Sequence, residues 1–172
     1  MNVPGVQKMP QSVSEYARAQ GLIAALINAV LNPVLAWVSN RNMEFMMLSG
    51  NRGFVMDTAI SSVVVSVLVA LFVTWGVRRD LKAGRLTATN EFRRKGRLVS
   101  CLPSRAWALG LILGFGIAFV VILLTLALFH LIGISGFSFA ALALFKAAYT
   151  GLLAFVVTRL VVFQQVLLVA KT

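Results

Sequence analysis

Charge is scarce in this sequence, and negative charge is the scarcest. Charged residues make up 12% of the 172 residues, with five Asp and Glu against 16 Lys and Arg. A soluble domain is about one quarter charged, so this composition argues against a chain surrounded by water. The net charge of +11 would suggest nucleic acid for a soluble protein. The basic stretch lacks interleaved aromatic residues and a recognition motif, so we predict no nucleic-acid partner.

Cysteine and histidine each occur once, as Cys101 and His130. One cysteine excludes an internal disulfide, and one histidine excludes a bis-histidine haem or a histidine-cluster metal site. A catalytic triad would depend on His130 alone, and the sequence has neither a nucleophile elbow nor a phosphate-binding glycine loop. We therefore predict a protein that is not an enzyme, with no catalytic residue, cofactor or metal.

Long apolar runs make up much of the sequence. Hydrophobic residues make up 59% of the chain. About 20 apolar helical residues cross the hydrocarbon core of a bilayer. The sequence predicts an all-α integral membrane protein, a four-helix transmembrane bundle formed as one domain over residues 1–172. The predicted spans are 21–39, 58–77, 106–132 and 137–163.

Capping and turn residues predict where the helices begin and end. Ser12 and Glu15 have the spacing of a capping box. Asp57 is a good N-cap for the second span, and Gly84 is a natural residue to end it. Within the outer loop, residues 40–57, turn residues between two apolar triplets suggest a small surface hairpin.

The connections predict a bundle made of two helical hairpins. The turn at residues 133–136 is short, so the third and fourth helices should be antiparallel neighbours. The loop at residues 78–105 separates this pair from the first two helices. It holds nine Lys and Arg residues, whereas the outer loop holds two. The positive-inside rule then places this loop and both termini in the cytoplasm, and we expect a multi-pass protein of the bacterial inner membrane.

Basic residues of the central loop are candidates for contact with anionic lipid headgroups. Each such residue near the membrane surface contributes about 1 kcal/mol. Membrane lipids are therefore predicted partners. The candidates are Arg78, Arg79, Arg93, Arg94, Lys95 and Arg97.

Amides and a proline mark the first span near its middle. Asn28 and Asn32 lie four residues apart and share a helix face, and Pro33 should bend the helix there. These residues could form a polar binding point. The favoured interpretation is that the amides hold helices together by hydrogen bonds to Ser62 and Ser66, which lie at matching depth in the second span.

Two cations lie within the fourth apolar run. Lys146 and Arg159 are 13 residues apart, about 20 Å along a helix, so they cannot form one site, and each can extend toward its own side of the membrane. The predicted spans contain no carboxylate. We therefore expect Lys146 to lie on the outer face of the bundle or at a subunit boundary, against a partner residue or lipid headgroup.

Small residues on three of the helices predict close helix packing, with the same chain or with another. The clearest case is the pair Gly110 and Gly114. The favoured function is a non-enzymatic accessory subunit of a larger inner-membrane complex, or a homo-oligomer, acting through helix packing and lipid contact. The alternative is a small channel or carrier that uses the polar point at Asn28, Asn32 and Pro33 and the cation Lys146. A binding module for anionic lipid is a third option.

Overall fold

The computed structural model describes residues 12–40, 45–48, 53–86, 103–133 and 135–170. These residues form four long α-helices and one two-stranded antiparallel sheet. Each helix is long and apolar enough to cross a membrane, which confirms the all-α class and the number of candidate spans. In chain order the elements are α1 (Val13–Asn40), β1 (Phe45–Met47), α2 (Phe54–Lys82), α3 (Ala106–Ile132), β2 (Gly136–Ser138) and α4 (Phe139–Val169).

Local signals set several of the helix ends. Ser12 and Glu15 bond to each other at the start of α1, as the capping box predicts, with the Glu15 amide 3.3 Å from the serine hydroxyl. Helix α2 ends before Gly84, as predicted, and Gly84 has a positive φ of 66°. Helix α3 has the predicted bounds, whereas α4 continues past residue 163 to Val169.

The start of α2 differs from the prediction. The helix begins at Phe54 with Gly53 as its N-cap, so Asp57 lies inside the first turn rather than ahead of it. Phe54 is fully buried and packs against the rings of Phe137 and Phe145 at 4.9 and 5.2 Å. This aromatic packing from α4 and β2 extends the helix by four residues beyond the local capping signal.

The sheet joins segments that are distant in sequence. Met46 of β1 pairs with Phe137 of β2 in antiparallel register. The predicted hairpin within residues 40–57 is therefore wrong, because its first apolar triplet pairs with β2 and its second begins α2. Gly136 lies so close to the Met46 carbonyl that no side chain fits there. We call the end of the bundle at this sheet the strand end and the opposite end, where α1 begins and α2 ends, the basic end.

The helices pack in the order α1, α4, α2, α3, so the two predicted hairpins do not form. Helices α3 and α4 touch only slightly in spite of their short connection, and so do α1 and α2. Glycines explain the order, because close approach needs a face without side chains. A Cβ on Gly110 would lie 2.7 Å from the Val67 Cα of α2, and one on Gly151 would lie 3.2 Å from the Ala25 carbonyl oxygen of α1.

The surface is apolar where a bilayer would surround it. Helices α1 and α3 lie at the two ends of the row and leave large apolar side chains exposed, such as Leu26 and Phe119. Helix α4 lies between α1 and α2 and is the most buried of the four. A soluble monomer rarely exposes so continuous an apolar surface, which agrees with a membrane protein.

Candidate functional site

The most buried charge at the strand end belongs to Lys146, which is paired within its own chain. Its ammonium lies 2.8 Å from Oδ1 and 2.7 Å from Oδ2 of Asp57, and 3.4 Å from the Ser61 hydroxyl. The side chains of Lys146 and Asp57 are 7% and 23% exposed. The prediction that Lys146 is satisfied from outside the chain, on an outer face or subunit boundary, is therefore wrong.

Helix direction explains why these two residues meet. Helices α2 and α4 both begin at the strand end, with Asp57 three residues into α2 and Lys146 seven residues into α4. At 1.5 Å per residue, Lys146 is roughly 6 Å deeper. Helical side chains slant toward the helix N-terminus, so the long lysine side chain reaches back to the carboxylate. The sequence does place an acid, Asp57, next to the second span. Its assignment as an N-cap put this acid outside the helix.

A cavity of about 180 Å³ lies beside this ion pair, between α1 and α2. Lys146 of α4 and Asp57 of α2 line it together with Asn32 of α1. It therefore brings Asn32 of the predicted polar point together with the predicted cation Lys146, whereas Asn28, Pro33 and Ser62 do not line it. The other lining residues are Leu35, Ala36, Ser39, Ile60, Ser61, Val64 and Val65.

The asparagines of α1 bond to their own helix and to α4. The Asn32 amide nitrogen lies 3.1 Å from the Asn28 carbonyl and 3.2 Å from the Asn28 side-chain oxygen. The Thr150 hydroxyl lies 3.0 Å from the same carbonyl and 2.7 Å from that of Lys146. Within the described residues, the side-chain amides bond inside α1, and the contact with α4 is made by the Asn28 backbone carbonyl. Helix α1 is unbroken through Pro33, and the bend predicted there stays a prediction.

Ser62 and Ser66 lie on the other side of α2. The Ser62 hydroxyl lies 2.5 Å from the Thr58 carbonyl and contacts the Tyr149 hydroxyl. Ser66 is fully buried and faces Gly114 of α3. These serines support the α2–α3 and α2–α4 contacts, so their predicted pairing with Asn28 and Asn32 is wrong.

Arg159 stays separate from Lys146, as expected. Its guanidinium lies over the Phe155 and Phe163 rings at 5.6 and 5.7 Å. The residue is half-buried and does not line the cavity. It is thus a second cation within the candidate spans, and among the described residues it contacts aromatic rings and forms no ion pair with a carboxylate.

A buried carboxylate, Asp80, lies at the basic end, where no sequence motif indicates a site. The Tyr16 hydroxyl donates to Asp80 Oδ2 at 2.8 Å, and Arg85 lies 3.6 Å from Oδ1. This contact joins the start of α1 to the end of α2. A pairing of residues 64 positions apart has no local sequence signal.

Two of the candidate lipid-contact residues lie at the end of α2, and both are exposed. Arg78 donates from Nε to the Gln165 side-chain oxygen at 3.1 Å, and Arg79 lies 5.2 Å over the Trp75 ring. Their exposure at the basic end is compatible with headgroup contact, which stays a prediction. The other four candidates, Arg93, Arg94, Lys95 and Arg97, lie outside the described residues.

No protein family, curated protein or solved structure matches the chain. Within the described residues, no three His, Cys, Asp or Glu side chains come together as a metal site. The chemistry that the geometry offers is one cation and one anion side by side at a cavity whose other lining residues are both polar and apolar.

Proposed function

We propose that this chain is a small non-enzymatic membrane protein of the carrier type, with its binding site in the cavity between α1 and α2. The observation that carries the proposal is the Lys146–Asp57 pair, which lines that cavity instead of being sealed in packed side chains. Ionisable residues within membrane spans are rare, and they often mark the path of a substrate or ion. Asn32 adds an amide at the same cavity.

A purely structural role for the pair accounts for less of the arrangement. A buried ion pair contributes little net stability, because removing both charges from water offsets most of their attraction. Helix packing here already rests on glycine contacts and apolar clusters. A charged pair beside an open cavity is therefore better explained by ligand binding than by a contribution to helix packing.

Closure at the basic end favours a carrier over a channel. There the Tyr16–Asp80 bond joins α1 to α2, and Val13, Val77 and Val166 belong to the same buried cluster. The cavity lies in the half of the bundle nearer the strand end. A ligand bound at Lys146 would thus be reached from one side, and transport would require α1 and α2 to separate at the other.

The accessory-subunit function receives less support. Its sequence argument used the small-residue contact faces, which left open whether the partner is the same chain, and the expectation that Lys146 is satisfied from outside the chain. Gly21, Gly110, Gly114 and Gly151 all pack against other helices of this chain, so these faces point to internal packing. A partner subunit or a second copy stays a prediction without a specific contact behind it.

Orientation is part of the proposal. Helix α1 begins and α4 ends at the basic end, together with Arg78, Arg79 and Arg105. The positive-inside rule supports a cytoplasmic location for this end, in the inner membrane of a bacterium. The strand end and its cavity would then lie toward the outer side.

Cysteine accessibility tests the carrier. In a Cys101→Ser background, Ser61→Cys places a thiol at the cavity, and Ser66→Cys places one on the same helix against α3. We expect a membrane-impermeant thiol reagent to modify Ser61→Cys in intact cells and, more slowly, in inside-out vesicles. Ser66→Cys should resist from both sides, because its position is fully buried.

The labelling pattern separates the alternatives. Modification of Ser61→Cys from one side alone would indicate that the cavity binds a ligand but does not open to the other side, so the protein would not transport it. Failure to modify it from either side, in protein that elutes normally from a sizing column, would contradict the proposal. Equal labelling of both variants would indicate unfolding rather than an open cavity.

A further inference from the structure

We infer that the cavity binds a zwitterion: a small ligand group that carries a primary ammonium and an acidic group a few bonds apart. The inference rests on the proposed function, because it names the ligand class of the same cavity. Lys146 would bind the acidic group, and Asp57 would bind the ammonium.

Charge balance is the first reason. Lys146 and Asp57 neutralise each other at 2.7 Å. A simple anion that drew Lys146 away would leave Asp57 unpaired in a poorly solvated place, and a simple cation would do the same to Lys146. An uncompensated buried charge is strongly unfavourable. A zwitterion exchanges one ion pair for two and adds no net charge.

Hydrogen-bond capacity is the second reason. The Lys146 ammonium has three donors and directs them at Asp57 and at Ser61. A carboxylate has about four acceptor positions, so Asp57 can accept from a ligand ammonium while it keeps a contact to Lys146. Asn32 and Ser39 offer further polar groups at the cavity. A quaternary ammonium has no N–H to donate and would leave these acceptors unused.

Size is the third reason. The cavity measures about 180 Å³, and an apolar cavity of about 150 Å³ in another protein holds benzene. The space therefore suits a group of about six to eight non-hydrogen atoms. Alanine fits this limit, and so does the phosphoethanolamine headgroup of phosphatidylethanolamine. Phosphocholine is larger and carries the quaternary ammonium.

The cavity rim allows either source of this chemistry. Leu35, Ile60 and Val64 line the cavity and are each about half exposed. These apolar side chains lie on α1 and α2, which touch only slightly. A lipid could place its headgroup at Lys146 with its acyl chains against the rim, and a free amino acid could occupy the same position beside Lys146 and Asp57.

Native mass spectrometry of the full-length protein in detergent tests the inference. The probes are L-alanine and three short-chain lipids with phosphoethanolamine, phosphocholine or phosphoglycerol headgroups. We expect binding of alanine, of the phosphoethanolamine lipid or of both, and at least about tenfold weaker binding of the other two lipids, because they lack the ammonium donor or the balanced charge. Alanine alone would identify a free solute, and the phosphoethanolamine lipid alone a membrane lipid.

Variants connect the binding to the pair. The double variant Asp57→Asn/Lys146→Met removes both charges without leaving one unpaired, so it should fold and lose the zwitterion by at least about tenfold. Arg159→Met removes a cation away from the cavity and should bind as the parent does. Retained binding in the double variant would overturn the inference, and so would equal binding of the phosphoglycerol or phosphocholine lipid.

The two proposals fail in different ways. If Ser61→Cys is modified from both sides but none of the four probes binds, the zwitterion inference is wrong and the carrier stands. If Ser61→Cys is never modified, the carrier is wrong whatever the probes do. Loss of binding in Arg159→Met as well would show a general disruption and would overturn the assignment to the Lys146–Asp57 pair.

Discussion

Substitution of Lys146 by Met should destabilise the protein more than the loss of one surface ion pair would. The change leaves the Asp57 carboxylate without its cation, and the pair is close, at 2.7 and 2.8 Å, with the lysine side chain only 7% exposed. Removal of one partner from a buried pair costs about 3–5 kcal/mol. Asp57 is 23% exposed beside the cavity, which places the expected loss near about 3 kcal/mol.

A double-mutant cycle isolates the pair from its surroundings. Asp57→Asn alone should also destabilise, because Lys146 is then buried without a carboxylate. The double variant Asp57→Asn/Lys146→Met should lie close to the parent, since replacing both members of a buried pair is often neutral. The coupling between the two sites should therefore be large and should restore stability.

Thermal unfolding of the purified protein in one detergent, monitored by tryptophan fluorescence, provides the measurement. Arg159→Met is the matched control, because it removes the other cation of α4, one that contacts rings instead of an acid. Arg159→Met should lower the free energy of unfolding by about 0.5–2 kcal/mol. If the double variant were as unstable as the two single losses added together, the ion pair would not be the reason, and the reasoning would be refuted.

Three other predictions concern packing and topology. Gly110→Ala should lower stability by about 1–3 kcal/mol, because the new Cβ would meet the α2 backbone at 2.7 Å. Gly116→Ala is the control and should be near neutral, because open space surrounds that position. Equal losses of stability in the two variants would contradict the packing order. Tyr16→Phe should cost about 1.5–3 kcal/mol by removing the hydrogen bond to the buried Asp80 carboxylate; an unchanged melting temperature would show that this contact does not hold α1 to α2. Cys101 should react with an impermeant thiol reagent only in inside-out vesicles, and labelling in intact cells would reverse the proposed topology.

Much of the local structure could be predicted from sequence because it depends on neighbouring residues. The bounds of α3 follow from one uninterrupted apolar run, and the start of α1 follows from Ser12 and Glu15, which bond across three positions. Gly84 ends α2 because it adopts a backbone conformation that other residues avoid. Each of these features is complete within one or two helical turns.

The candidate site could not be predicted in the same way. The local sequence around Asp57 predicts a helix cap, and only the packing of Phe54 against Phe137 extends the helix past it. The short connection between α3 and α4 suggested neighbours, yet Gly110 and Gly114 fit α2 more closely. Tertiary contacts outweighed the local pattern in both cases.

Sequence alone determined that this chain forms four helices long and apolar enough to cross a membrane, because apolar length and the low number of charges are properties of the chain itself and do not depend on which helices pack together. Only the tertiary structure decided the helix order, the Lys146–Asp57 pair and the cavity beside it. In a bilayer every apolar face is equally suited to lipid, so the choice of neighbour depends on close backbone fit and a few buried polar contacts. Those contacts join residues as far apart as 122 positions, a separation at which hydrophobic patterning carries no information about pairing.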